Sequence, residues 1–108
     1  MSLKGRWRIV AMPDYVDDYP DMVEPAYIRF DKKGSGEFAF GCVTGDIRTQ
    51  GEGDALTFRW KGNDEMEEAQ GDGWAQLQPD GSLKGQIRFD RGDEADFTAR
   101  KDTSSTTC

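Results

Sequence analysis

Thr57-Phe58-Arg59-Trp60 decides the fold of this chain, because apolar and polar side chains alternate in it with a period of two. Successive side chains of a β-strand point to opposite faces, so such a segment has one apolar face and one hydrated face. The alternation recurs in three further segments: Arg6-Trp7-Arg8-Ile9, Tyr27-Ile28-Arg29-Phe30 and Gln86-Ile87-Arg88-Phe89. It predicts an all-β protein.

Turn signals rich in Gly, Pro and Asp separate these segments and define the order of the strands. We predict eight strands, at residues 5–11, 27–31, 36–41, 43–50, 55–61, 73–78, 83–90 and 95–101. Short connections favour an antiparallel up-and-down meander, which removes its exposed edges by closing into a small barrel. A β-sandwich is the alternative. The predicted domain covers residues 5–101, between an N-terminal extension at 1–4 and a disordered tail at 102–108.

Charge and composition exclude several classes of function. The chain has 21 acidic and 14 basic residues, a formal charge of −7, which disfavours nucleic acids and anionic membrane surfaces as partners. It lacks an apolar run of the ~20 residues that a membrane span needs, so we predict a cytoplasmic protein. With no histidine and two cysteines far apart, it offers no motif for a metal or a cofactor, and we expect neither.

Two long acidic connections, at residues 12–26 and 62–72, contain no Lys or Arg. Each is predicted to hold a short helix, and in the second Asn63 is the N-cap and Gly71 the stop. A turn at Gly41-Cys42 places both connections at one end of the barrel, which is then strongly negative. If residues 36–50 form one bent strand instead, the two connections lie at opposite ends.

Gly5-Arg6-Trp7 opens the first strand, and Arg100-Lys101 ends the last. In this the chain resembles the calycin barrels, which include lipocalins, fatty-acid-binding proteins and avidins. The resemblance implies that the indole of Trp7 lies under Arg100 or Lys101 and closes the barrel floor. The chain is shorter than a lipocalin, and it lacks the two helices that follow the first strand of fatty-acid-binding proteins.

A second resemblance rests on the segment from Trp60 to Met66, Trp-Lys-Gly-Asn-Asp-Glu-Met, and on Gly71-Asp72-Gly73-Trp74-Ala75. These segments are similar to a group of small bacterial proteins of uncharacterised activity. The resemblance covers most of the domain and implies no particular activity.

Aromatic and acidic residues supply the candidate site. We assign eight large rings to the barrel interior: Trp7, Phe30, Phe38, Phe40, Phe58, Trp60, Phe89 and Phe97. Other aromatic residues lie in or beside the acidic connections, where carboxylates and rings together suit a cationic ligand. The predicted ligand-binding residues are Tyr15, Tyr19, Trp60, Asp64, Glu65 and Trp74.

Three functions remain open, and they predict different structures. The first is non-catalytic binding of a small cationic or aromatic ligand, which requires a cavity among Trp7, Phe58, Trp60 and Trp74. The second is binding of a basic protein partner, which predicts a filled barrel and an exposed patch around Tyr15, Tyr19 and Met22. The third is catalysis by Asp64 and Glu65, which requires a buried carboxylate of raised pKa. A homodimer formed through the outer strands is compatible with each.

Overall fold

The structure is a closed antiparallel β-barrel, a computed structural model that describes residues 3–13, 21, 25–31, 34–51 and 54–101. The eight strands are β1 (Gly5–Ala11), β2 (Tyr27–Phe30), β3 (Ser35–Phe40), β4 (Val43–Gln50), β5 (Ala55–Asp64), β6 (Glu67–Leu77), β7 (Leu83–Phe89) and β8 (Glu94–Lys101). Each strand pairs with the next along the chain, and β1 pairs with β8. The predicted all-β meander is confirmed, and the sandwich is excluded.

The turn at Gly41-Cys42 is present and joins β3 to β4. Gly41 has a φ of 54°, in the left-handed region that glycine adopts without steric cost. Because consecutive strands are antiparallel, the β1–β2, β3–β4, β5–β6 and β7–β8 connections all lie at one end, as predicted. We call this the hairpin end of the barrel.

The predicted loop and helix at residues 62–72 are wrong. Strand β5 continues to Asp64 and β6 begins at Glu67, so only Glu65 and Met66 form the turn between them. The neighbouring strand β4 explains the difference, because its residues Val43–Gln50 pair with β5 as far as Asp64. Sheet pairing on both sides of β5 outweighs local helix signals, which are worth only about 1 kcal/mol each.

Rings that rest on glycine backbone fill the barrel interior. All eight aromatic side chains assigned to the interior are buried, each at most 5% exposed. A Cβ atom on Gly45 would lie 2.7 Å from the ring of Phe38 and 2.9 Å from that of Trp60. A Cβ atom on Gly73 would lie 2.5 Å from the ring of Phe58. Glycine at these inward positions therefore provides the space that the rings occupy.

Trp60 connects two parts of this interior. Its ring meets those of Phe38 and Phe89 edge-on, with centroid distances of 5.1 Å in both cases. Its indole N–H donates to the carbonyl of Arg88 at 3.1 Å, which satisfies its polar atom. Packing and hydrogen bonding together fix this side chain inside the barrel.

The barrel floor contains Trp7 beneath the end of β8. The ammonium group of Lys101 lies 5.1 Å from the centroid of the Trp7 ring and donates to the carbonyl of Lys4 at 2.6 Å. The indole N–H of Trp7 donates to the carbonyl of Leu3, a residue only 2% exposed. Gly5 has a φ of 117°, and a Cβ atom there would lie 2.4 Å from the ammonium nitrogen, so glycine at this position makes room for Lys101.

Arginine and acidic side chains alternate over much of the outer face. Glu37 accepts hydrogen bonds at 2.5 Å from the hydroxyl of Tyr27 and the guanidinium of Arg29. These two donors, Tyr27 first, hold the pKa of Glu37 below its ordinary value. Arg88 donates twice to Asp72, at 2.9 Å each. Cross-strand pairs of opposite charge stabilise the exposed face of a sheet.

Candidate functional site

The β5–β6 turn forms the tip of the hairpin end. The amide N–H of Glu65 donates to the carbonyl of Cys42 at 2.9 Å, which ties this turn to the β3–β4 turn. Glu65 has a φ of 58°, and the side chain of Met66 is 98% exposed. An apolar side chain thus stands fully in solvent at the tip, flanked by acidic residues on both sides. We call residues 65–68 the hairpin tip.

Strand β6 extends beyond its neighbour β7 toward the tip. Its pairing with β5 begins at Glu67, whereas its pairing with β7 begins only at Gly71. The carbonyl of Gln70 accepts from the amide N–H of Asp90, so the backbone groups of Gln70 point toward β7. Backbone direction alternates along a strand, and the N–H and C=O groups of Glu68 therefore point the same way, past the end of β7. Among the described residues, no strand lies beside this short edge.

A notch lies between that edge of β6 and the β7–β8 turn. Its volume is about 360 Å³. It is lined by Lys61, Glu68, Ala69, Gln70, Phe89, Asp90 and Arg91. Ala69 and Phe89 provide its apolar surface, whereas the other five side chains are polar or charged. The notch can accept one medium-sized side chain beside the hairpin tip.

Arg91 crosses the hairpin end between two carboxylates. It donates to Asp64 at 2.7 Å and to Asp93 at 2.8 Å, and its guanidinium lies 4.7 Å from the centroid of the Phe89 ring. These carboxylates, Asp64 first, raise the pKa of Arg91 above its ordinary value. A carboxylate pair beside an aromatic ring is the arrangement expected to hold a cationic ligand. Here the chain's own guanidinium occupies it.

Three acidic residues of the hairpin tip keep their charge uncompensated. Glu65, Glu67 and Glu68 are exposed, and within the described part of the chain no basic group pairs with them. In contrast, Asp64 and Asp93 pair with Arg91. At the tip, therefore, the described part of the chain leaves three negative charges without a basic partner.

The predicted site residues do not come together in one place. Trp60 is 3% exposed inside the barrel, whereas Trp74 is 37% exposed on the outer face of β6. Asp64 and Glu65 lie at the hairpin end, the former in its ion pair and the latter in the turn. Tyr15, Tyr19 and Met22, together with the tail at 102–108, lie outside the described residues.

Two functional elements of the hairpin end were missed by sequence reasoning: the position of Arg91 and the notch. Arg91 lies in the short β7–β8 turn beside Asp93, and the predicted site included no residue of that turn. The notch depends on β6 beginning at Glu67. The sequence contains a signal for this longer strand: small residues occupy every second position, at Ala69, Gly71, Gly73 and Ala75.

Ser82 is the single buried polar side chain in the part of the chain that the structure describes. Over the same residues, no three His, Cys, Asp or Glu side chains are grouped to hold a metal ion. None of the described segments forms a helix long and apolar enough to cross a membrane. The described carboxylates of the hairpin tip, on Glu65, Glu67 and Glu68, are exposed surface groups.

Comparisons of the chain with protein-family models, with curated proteins and with solved structures yield no match.

Proposed function

We propose that this protein is a non-catalytic interaction module that binds a basic segment of a partner protein at its hairpin end. One observation carries the proposal: Glu65, Glu67 and Glu68 surround the exposed side chain of Met66 without a basic partner among the described residues. A basic partner surface would neutralise these carboxylates and cover the apolar side chain between them on binding.

Ligand binding inside the barrel has less support. The interior is occupied by the buried rings, which rest on the backbone of Gly45 and Gly73. Trp74 lies on the opposite side of the barrel wall from Trp7 and Trp60, so these three cannot line one cavity. A filled barrel with surface carboxylates favours a macromolecular partner over a small molecule held in the interior.

Charge and apolar contact contribute differently to binding in the proposed complex. Ion pairs of the exposed type contribute only about 0.2–1 kcal/mol each, so the carboxylates mainly speed association and select basic partners. Burial of Met66 and of a partner side chain in the notch, against Ala69 and Phe89, supplies the larger share of the affinity. The backbone of Glu68 offers one further pair of hydrogen bonds to an extended segment.

The proposal includes two finer assignments. A calycin-like barrel is supported by the ammonium group of Lys101 over the ring of Trp7, which matches the floor that the resemblance implies. A cytoplasmic location is supported by the sequence, in which two cysteines far apart suit a reducing compartment.

A photo-crosslinking residue at position 66 tests the proposed function in cells. Met66 is 98% exposed, so the replacement leaves the core intact, and the same residue at Lys84, exposed near the opposite end of the barrel, is the matched control. We expect a protein to be captured at position 66 and not at 84, and its crosslinked peptide to be rich in Lys and Arg. The charge-reversed variant Glu67→Lys/Glu68→Lys should abolish the capture. Equal capture at both positions, or capture that survives charge reversal, contradicts the proposal.

A further inference from the structure

A groove on the outer face of β4, β5 and β6 reverses the charge of the rest of the molecule. Its volume is about 770 Å³, and three arginines and one aspartate line it: Arg48, Arg59, Arg88 and Asp72. The chain as a whole carries a formal charge of −7. Charged groups beyond about 10 Å are largely screened at physiological ionic strength, so the local excess of positive charge determines what the groove attracts.

Two of these arginines oppose each other directly. Arg48 of β4 pairs in register with Arg59 of β5, and like charges in that position destabilise a sheet. Arg59 reaches only Asp90, at 3.6 Å, and Arg48 has no ion-pair partner among the described residues. Arg88, in contrast, is neutralised by its two hydrogen bonds to Asp72. The positive excess therefore lies between β4 and β5, where an anion would relieve the repulsion.

Trp74 borders the same groove and is the second observation that points to a ligand. It is 37% exposed on a strand whose other outward residues are polar. In register it faces Thr57, and Arg59 lies one diagonal step away on the same face of the sheet. Diagonal neighbours are separated by about 7–8 Å. One ring-bearing ligand can therefore contact both the guanidinium of Arg59 and the indole of Trp74.

We propose that this groove binds small anions that carry a planar ring. The anionic group lies between the guanidinium groups of Arg48 and Arg59, and the ring packs against the indole of Trp74. Arginine holds carboxylate and phosphate groups with two parallel hydrogen bonds, so the shared chemistry is an oxyanion on an aromatic ring. This site is separate from the hairpin end and opposite to it in charge.

Fluorescence quenching of Trp74 tests the electrostatic half of the proposal without any assumed ligand. The other two tryptophans, Trp7 and Trp60, are each 3% exposed, so quenchers in water report on Trp74. Relative to its quenching of free N-acetyltryptophanamide, iodide should quench more strongly than caesium despite the net negative charge of the protein. Arg48→Gln should lower the iodide-to-caesium ratio, whereas Arg100→Gln, an exposed arginine of β8, should not. Stronger quenching by caesium, or equal effects of the two substitutions, would overturn the proposal.

A set of ligand probes tests the other half and distinguishes the two oxyanions. Adenosine monophosphate and salicylate each combine a ring with an oxyanion, while adenosine and inorganic phosphate each supply one part alone. We expect at least one combined probe to bind saturably, about tenfold more tightly than either part, and Arg48→Gln to weaken it about tenfold. Whether the phosphate or the carboxylate probe binds identifies the source of the anion. Saturable binding by neither combined probe, or equal binding of the separate parts, overturns the proposal.

Discussion

The two faces of strand β6 differ in a way that separates folding from binding. Its inward positions from 69 to 75 carry only alanine and glycine, and the ring of Phe58 from the neighbouring strand lies against Gly73. Its outward positions carry polar residues and the exposed ring of Trp74. In this strand a large apolar side chain points to solvent while glycine points to the core, which is the reverse of the usual arrangement. The interior is therefore built by packing, and the outer face keeps groups that packing does not require.

Removal of an interior ring should have the largest effect on this comparison. Trp60→Ala deletes the side chain that contacts Phe38 and Phe89 and removes the indole N–H that donates to the carbonyl of Arg88. We expect the free energy of unfolding to fall by about 3–5 kcal/mol, as measured by chemical denaturation. Trp74→Ala, the matched change on the outer face, should cost less than about 1 kcal/mol. Similar losses for both variants would remove the distinction between the faces.

The inward glycines provide the next test. In Gly73→Val the new side chain meets the ring of Phe58 at 2.5 Å and the carbonyl of Gln86 at 2.3 Å. Overpacking of this kind costs about 1–3 kcal/mol or more, and a lower midpoint of thermal unfolding should report it. Gln76→Val on the outer face of the same strand is the control and should leave the midpoint near that of the native protein. An unchanged midpoint for Gly73→Val would mean that the interior has spare room.

A pH titration distinguishes the outer face from the interior. The pKa of Glu37 lies below the ordinary 4.5, because Tyr27 and Arg29 donate to the ionised carboxylate. Its contribution to stability is therefore present above pH 4.5 and is lost as the pH falls through the lowered pKa. Glu37→Gln should reduce the unfolding free energy at neutral pH by about 1 kcal/mol, a modest figure because solvent screens the pair.

The difference in unfolding free energy between native protein and Glu37→Gln should shrink in acid. A difference that persists well below the lowered pKa would show that the ionised form of Glu37 is not what stabilises this face. Tyr27→Phe provides the matched check. It removes one donor, so the pKa of Glu37, followed by the carboxyl carbon resonance, should rise toward the ordinary value.

The smallest effect belongs to the exposed ion pair of Arg88 and Asp72. Although two hydrogen bonds of 2.9 Å join these residues, both side chains are exposed, and a double-mutant cycle should give a coupling of about 0.2–1 kcal/mol. High salt should reduce this coupling further. A coupling of several kcal/mol would mean that an ion pair on the outer face contributes as much to the free energy of unfolding as a ring in the interior.

Period-two alternation predicts most of this fold from sequence, because inward and outward residues differ sharply where large rings and arginines alternate. Phe58 and Trp60 identify their strand in this way. The turn at Gly41-Cys42 is identified by its glycine instead. The hairpin formed by β5 and β6 escapes the same reasoning. Residues 61–70 are mostly charged or small, so local signals favour a helix there and only pairing with β4 reveals the strand.

The candidate site is less predictable than the fold. Charge at the hairpin end follows from the parity of the strands, and Glu65 lies where it is expected. The partner of Asp64 does not follow, because Arg91 is 27 residues away and comes near only through the pairing of β5, β6 and β7. Trp74 faces outward because glycine at 73 and alanine at 75 take the inward positions, and a pattern of large apolar residues cannot show this.

A chemical-shift titration of isotope-labelled protein tests most directly whether a basic segment binds outside the filled barrel, at the hairpin end. The probe is a peptide of alternating arginine and threonine, and alternating glutamate and threonine is its control. We predict saturable shifts of the amides at residues 65–70 and 90–94, absent in Glu67→Lys/Glu68→Lys, while the interior methyl groups of Ile28 and Ile47 stay unchanged. Shifts of these methyl groups larger than those at the hairpin tip, or a tip that the peptide leaves unaffected, would contradict the proposal.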